Sequence, residues 1–202
     1  MPRLSQTERR RAIIDATLVV TQRKGIGATT ARDVALEMGT SSGLIHHYFA
    51  SMDDLFAAAF AQAATDDLNQ TSSAVYAATS ATDKLAAFFV SYERTDDEWG
   101  YQIWLDAWSE APRRPMLQAT SQRLNLAWHA LLVSIIDLGV RDGAFHCAEP
   151  TSTAWRILAL LDGLSLQVVA HPEALQYEVV MPWSMRLAEL EIGLTPGTLQ
   201  SR

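Results

Sequence analysis

One cysteine, Cys147, stands in the 202 residues, so neither an internal disulfide nor a cysteine-built zinc cluster is available. A reducing, cytoplasmic setting is the expectation. Proline and glycine together make up only 17 positions, and charged residues only 19% against 49% apolar. Those figures exclude a collagen-like, low-complexity or disordered chain. Long apolar runs are scarce too. The greasiest stretch, 154–170, is cut by Arg156, Asp162 and Gln167 and is expected to be too short and too charged to span a bilayer. Residues 1–11, with Arg3, Arg9, Arg10 and Arg11, contain no apolar segment of the signal-peptide kind. No membrane association is expected.

Catalytic constellations are missing as well. The histidines are His46, His47, His129, His146 and His171, with no His-Glu-x-x-His spacing among them. No nucleophile elbow, glycine-rich phosphate loop or cysteine pair occurs. Adjacent His46 and His47 point to different sides of a helix, which suits joint chelation poorly, and His146-Cys147 reads as a surface loop. The expectation is a protein that is not an enzyme, with no catalytic residue, no metal and no cofactor.

Charge is present but uneven. Residues 1–50 carry seven Lys or Arg against four acids, a net of +3, while the other 152 residues carry nine bases and nineteen acids, a net of −10. A basic quarter on an acidic body suggests two jobs, with any polyanion held by the first. A solvated helix face would give the same count.

Helical periodicity dominates and no alternating strand pattern is convincing. Ile13, Ala16, Thr17 and Val20 share one face of a first helix from about Ser5 to Lys24, stopped by Gly25. A second opens at Thr29-Thr30, with Asp33 completing a capping box, and ends at Gly39. A short third spans roughly Ser41 to Tyr48. Further helices are predicted over 51–78, 82–94, 99–113, 115–141, 149–170 and 173–192, the last kinked at Pro182. The fold class is all-α with about nine helices: a three-helix head over 1–50 and a helical body over 51–202, the fourth helix connecting them.

The stretch from Thr30 to Phe49 is the informative one. Two short helices crossing steeply need a small residue at their contact, a positive-φ residue in the turn, and apolar anchors inside. Ala35, Gly39, and the set Val34, Met38, Ile45 with Tyr48 or Phe49 supply them. This is helix-turn-helix spacing. Ser41, Ser42, His46 and His47 give the second of these helices a polar face suited to a DNA major groove, where Gly43 would let backbone approach closely. A tight helical hairpin without a ligand is the plain alternative.

In register, Thr30, Val34-Ala35, Met38-Gly39-Thr40-Ser41-Ser42-Gly43, Ile45-His46-His47-Tyr48-Phe49 and Ser51-Met52-Asp53-Asp54-Leu55 resemble the N-terminal pattern of TetR-type transcriptional regulators. The form around His46 to Phe49 is most similar to the branch of choline-responsive betaine-synthesis regulators. Trp108-Ser109-Glu110-Ala111 and Leu160-Leu161-Asp162-Gly163-Leu164 are similar in flavour to that branch's C-terminal domain. The resemblance implies a homodimeric repressor on a palindromic double-stranded DNA operator, released by a small-molecule effector, with a quaternary amine as one candidate. It implies phosphate contacts from Thr30 and Tyr48, groove contacts from Ser41, Ser42, Gly43, Leu44, His46 and His47, and backbone or minor-groove contacts from Arg9 and Arg10. Arg32 is a further DNA-binding candidate. Met52 replaces the family's usual lysine and removes one phosphate contact. A helical sensor or scaffold dimer that has lost operator binding is the alternative, favoured by Met52 alone.

In the body, Tyr101, Trp104, Leu105 and Trp108 fall on one helical face, with Trp128 and Trp155 on later helices. Such a stripe serves a core, or an aromatic cage for a cation. Asp162, on an apolar face, would meet a cationic ligand, cap an amide or pair with Arg156. A second apolar stripe, Ala154, Ile157, Leu161, Leu164 and Val168, faces Val179, Val180, Trp183, Leu187 and Leu190 of the last helix. Ile157, Leu161, Leu164, Val168, Val180, Trp183 and Leu187 are the candidate dimer interface, burial within one chain being the alternative.

Overall fold

The computed structural model describes residues 5–92 and 98–200. Among these residues there are nine α-helices and no strand: α1 Gln6–Lys24, α2 Ala31–Glu37, α3 Ser42–Tyr48, α4 Met52–Ala77, α5 Ala81–Tyr92, α6 Glu98–Glu110, α7 Pro115–Arg141, α8 Pro150–Ala170 and α9 Val180–Glu191. The expected end of the fifth helix at Arg94 lies outside the described residues. Two compact units emerge, one built from 1–65 with 102–124, the other from 66–101 with 125–202. Helices α4, α6 and α7 therefore each contribute residues to both.

In the first unit, α1 opens on a full capping box. The Ser5 amide donates to Glu8 (2.8 Å) and the Glu8 amide to the Ser5 hydroxyl (3.2 Å). It ends where Gly25 takes φ +76°. The core joins Ile13 and Ile14 of α1, Val34 and Ala35 of α2, Ile45 and Phe49 around α3, and Leu55 and Ala59 of α4. Ala35 is 3% exposed, so α2 meets its neighbours where the side chain is small. Gly39, at φ +63°, turns the chain between α2 and α3, and the Thr40 amide closes back on the Ala35 carbonyl at 2.9 Å.

In the second unit α8 packs on α9. Ile157, Leu158 and Leu161 are buried, as are Val180, Met185 and Ala188. Beneath them the carboxylate of Glu189, 1% exposed, accepts from the Gly197 and Leu199 amides, both at 2.9 Å. That burial is satisfied by backbone donors. Residues 171–176 are not helical, and Pro182 lies in the first turn of α9 instead of kinking a longer helix. A proline there has no intrahelical partner to lose, so it fits a start better than an interior. Helices α7 and α8 are long and apolar enough to cross a membrane by length and composition alone. For α8 this corrects the expectation from 154–170, since the helix begins at Pro150 and reaches 21 residues. Ile157, Leu158 and Leu161 are buried in the unit's own core, and Leu160, Leu164, Leu166, Val168 and Val169 are half-buried.

Candidate nucleic-acid interface

Helix α3 is divided between two environments. Ile45 and the following Phe49 are 1% and 2% exposed and anchor it from within. Ser41, Ser42, Gly43, His46 and His47 are exposed, and Leu44 and Tyr48 half-buried. The Ser41 side chain makes no capping bond, so it does not close off the helix start. A β-carbon built on Gly43 would meet only the Ser41 hydroxyl at 3.7 Å, so that side of the backbone is open. The His47 ring stands edge-on to Tyr48, with centroids 5.2 Å apart, which fixes the tyrosine at the end of the polar face. The expected groove-facing residues are thus exposed or half-buried on this short helix, away from the buried Ile45.

The positive charge around it is sorted by pairing. Arg23 is bonded to Glu37, and Lys24 to Asp33 at 2.6 Å, so these two cations serve to tie α1 to α2. Exposed Arg11 and Arg32 and half-buried Arg9 form no ion pair among the described residues. Arg10 lies over Phe49, its guanidinium carbon 4.7 Å from the ring centroid. Thr30 is more occupied than the sequence suggests. Its hydroxyl donates to Asp33 (2.6 Å) and accepts from the Asp33 amide (3.3 Å), while its own amide donates to the same carboxylate (2.9 Å). Lys24 first, and then Thr30, hold the Asp33 carboxyl down to about 2. A phosphate at this helix start would compete with a carboxylate already seated.

The aromatic candidates do not form one set. Residues Ile103 and Ala107 carry the buried side of α6, at 5% and 0% exposure, and Tyr101, Trp104 and Trp108 are half-buried. In the first unit Trp104 meets Phe60 edge-on at 4.8 Å and Trp108 at 5.6 Å. In the second, the Tyr101 and Tyr177 hydroxyls are 2.9 Å apart, and burial first, then Tyr177, raises the Tyr101 phenol above its ordinary range. Trp128 is buried beside Phe88, at 6.0 Å. Trp155 departs from the expectation of a cage wall. It is 38% exposed and stacked at 4.2 Å on His129, whose Nε2–H donates to the Thr151 carbonyl at 2.9 Å. Asp162 is half-buried and has no hydrogen bond or ion pair among the described residues. Desolvation raises its pKa to about 7. The suggested pairing with Arg156 is corrected, because that guanidinium is bonded to Glu191 through Nε at 2.9 Å.

The candidate interface set is also split. Ile157, Leu161 and Val180 are each 0% exposed within a single chain, so they hold α8 against α9 from inside and are unavailable to a second copy. Leu164, Val168 and Leu187 are half-buried, and Trp183 is 53% exposed. Leu190, left out of the candidate set, is 63% exposed.

Two carboxylates escaped the sequence reading because their partners are far along the chain. Asp106 of α6 accepts from the Ile26 amide at 3.2 Å, and Asp53 of α4 accepts from the Met116 and Leu117 amides at 2.9 and 3.2 Å. Asp53 in a first turn is legible as a helix-dipole residue, but not its second use as a cap for the start of α7.

Comparison with known proteins places this geometry. Residues 13–59 match the model of bacterial regulatory proteins of the tetR family, and residues 77–189 match that of the C-terminal part of BetI-type transcriptional repressors. The HTH-type transcriptional regulator BetI of Paraburkholderia xenovorans is 34% identical over 175 residues, covering 83% of this chain and 85% of that protein. Its counterpart in Escherichia coli O157:H7 is 28% identical over 172 residues, covering 83% and 86%. Among solved structures, a transcriptional regulator of Pseudomonas aeruginosa PAO1 superposes with a TM-score of 0.81 at 24% identity over 99% of this chain and 97% of that one. A regulator from Saccharomonospora viridis, in complex with choline, gives 0.83 at 24% identity over 93% and 98%. The chain belongs to the TetR family of DNA-binding transcriptional regulators, with a C-terminal domain of the BetI type.

Proposed function

We propose that the protein is a cytoplasmic homodimeric repressor that inserts α3 of each copy into successive major grooves of a palindromic operator and lets go when a small cation occupies its body. The division of α3 carries this reading: Ile45 and Phe49 are sunk in the core while Ser41, Ser42, His46 and His47 stand exposed on the other side. A helix that served only the core would have no use for four exposed polar side chains, and a groove has. Arg9, Arg10, Arg32 and Tyr48 are assigned to the phosphates, with Leu44 against a base edge. Thr30 is assigned a lesser share, since Asp33 already satisfies it. None of these residues makes the two-pronged contact of arginine with guanine from α3, so specificity is spread over several weak contacts and DNA shape.

For the effector, the second unit offers Tyr101, Trp128 and Asp162. Asp162 has no cationic partner among the described residues, which a quaternary amine would provide, and choline is bound by the Saccharomonospora viridis relative. Trp104 and Trp108 of the first unit are kept as secondary candidates, and Trp155 is set aside. For the second copy, the exposed Trp183 and Leu190 with half-buried Leu164, Val168 and Leu187 form the contact face on α8 and α9. The effector would act by favouring a conformer whose two heads no longer match one DNA face.

A gel shift with the DNA upstream of the protein's own gene tests the reading. Retardation that disappears in Tyr48→Ala or Arg10→Ala and is relieved by choline supports it. A folded dimer that leaves the fragment unshifted at low salt supports instead the sensor or scaffold that has lost its operator. A shift that resists choline, betaine aldehyde and other small amines would retire the cationic effector and keep the DNA claim.

A further inference from the structure

Helix α6 comes close to the turn between α1 and α2, and the contact is built. The Ile26 amide donates to Oδ2 of Asp106 at 3.2 Å across 80 positions of sequence, and Oδ1 of the same carboxylate accepts from Gln102 at 3.0 Å. Ile26 is 2% exposed, so its amide has little access to water in place of Asp106. Two glycines make room. A β-carbon at Gly25 would lie 3.3 Å from Asp106 Oδ2, and one at Gly27 3.1 Å from Glu110 Oε1. Asp106 and Glu110 are four residues apart on one face of α6, so both acids address the same turn. Glu110 is itself held by Arg113 and Arg114, at 2.9 and 3.0 Å, and Arg114 lies 4.8 Å over the Phe56 ring of α4. On the other side of this corner, Asp53 of α4 caps the first amides of α7.

We infer that Asp106 is a positioning residue of the regulator: its bond to the Ile26 amide makes the setting of the α1–α2 turn, and through α2 that of α3, depend on where α6 lies. This rests on the reading of the protein as an effector-controlled DNA binder. The turn is two residues of freedom away from the Thr30 cap of α2, with Thr29 already closing on the Gly25 carbonyl at 2.7 Å. A displacement of α6 is therefore passed to α2 as a change in the turn and is not absorbed by a loose loop. By linkage, operator binding must be felt back along α6 to the same extent.

Amide hydrogen exchange of the full chain, read by mass spectrometry with and without the DNA upstream of its own gene, tests this. The variants are Asp106→Ala, which removes the acceptor, and Asp106→Asn, which retains one carbonyl oxygen for the Ile26 amide. In the free protein, Asp106→Ala should exchange at least about tenfold faster over residues 25–30, with Asp106→Asn close to wild type. On DNA, wild type and Asp106→Asn should change protection in α6 as well as α2 and α3, and Asp106→Ala in α2 and α3 alone. Wild-type exchange of the turn in free Asp106→Ala, or an α6 response to DNA that survives in Asp106→Ala, would overturn the inference. Failure of DNA to protect α3 in the wild type falls on the regulator reading instead, and the free-protein comparison still decides whether Asp106 holds the turn.

Discussion

The guanidinium of Arg10 lies 4.7 Å over the ring of Phe49, joining α1 to the residue that closes α3. Phe49 is buried and Arg10 exposed, so the aromatic ring aims a charge without removing it from water. Arg10→Ala should weaken operator binding and reduce the slope of log affinity against log salt by about 1, the signature of one lost phosphate contact. Fluorescence anisotropy on a labelled operator across a salt series measures both. A variant with wild-type slope would show that Arg10 serves packing alone. The Lys24 and Arg23 variants, by contrast, should leave the slope unchanged, because each is already neutralised by a carboxylate.

The split of the α8 and α9 candidates predicts two different failures. Trp183→Glu or Leu190→Glu places a charge on the exposed face and should convert a dimer to folded monomers, seen by analytical ultracentrifugation with unchanged helicity. Ile157→Ala instead opens a hole in one chain's core and should cost about 2–5 kcal/mol of stability. Dissociation of the copies by Ile157→Ala, with the monomer fully stable, would reverse the assignment of inside and outside.

Local rules carried the head almost completely. The Thr30–Asp33 capping box, the glycine stops at Gly25 and Gly39, and the inward set of Val34, Ala35, Ile45 and Phe49 all depend on neighbours within a few positions. What local rules could not read is which of several apolar faces a helix buries. On α6 the large tryptophans dominate the apolar pattern, yet the small Ala107 is the fully buried residue, because close helix packing selects for size as well as hydrophobicity. Asp106 and Asp53 are illegible for a different reason: the amides they receive lie 80 positions away for the first, and 63 and 64 for the second. No spacing rule reaches that far.

Gly139 of α7 is a site where one methyl group decides the packing. A β-carbon there would fall 2.0 Å from Cδ2 of Phe145, whose ring is buried against the helix just past its end. Gly139→Ala should therefore destabilise by about 1–3 kcal/mol through overpacking, although alanine is the better helix former. That corresponds to a fall in Tm of about 2–4 °C for each kcal/mol in a chain of this size. Adding Phe145→Leu should recover part of the loss, since the smaller side chain withdraws from the contact. A Tm raised by Gly139→Ala alone would refute the close approach.

Asp162 makes stability depend on pH in an unusual direction. Its folded pKa, raised to about 7 by desolvation, stands above the ordinary 3.8 of the unfolded chain. Between these values the folded state binds more protons than the unfolded one, so stability falls as pH rises from about 4 to about 7 and then levels off. The usual carboxylate does the opposite: Asp33, lowered to about 2, contributes stability above pH 3.8 that is lost on acidification towards 2. Asp162→Asn should remove the decline between pH 4 and 7 and leave the acid limb set by Asp33 in place. Urea unfolding at half-unit pH steps measures it, with the wild type and the variant converging near pH 4. Choline separates the two roles of this group further. A cation beside Asp162 favours the ionised form, so ligand binding should release protons near pH 6, detectable as a buffer-dependent enthalpy in calorimetry that vanishes in Asp162→Asn. Equal enthalpies in buffers of different ionisation heat, for a wild type that does bind choline, would place the cation away from Asp162.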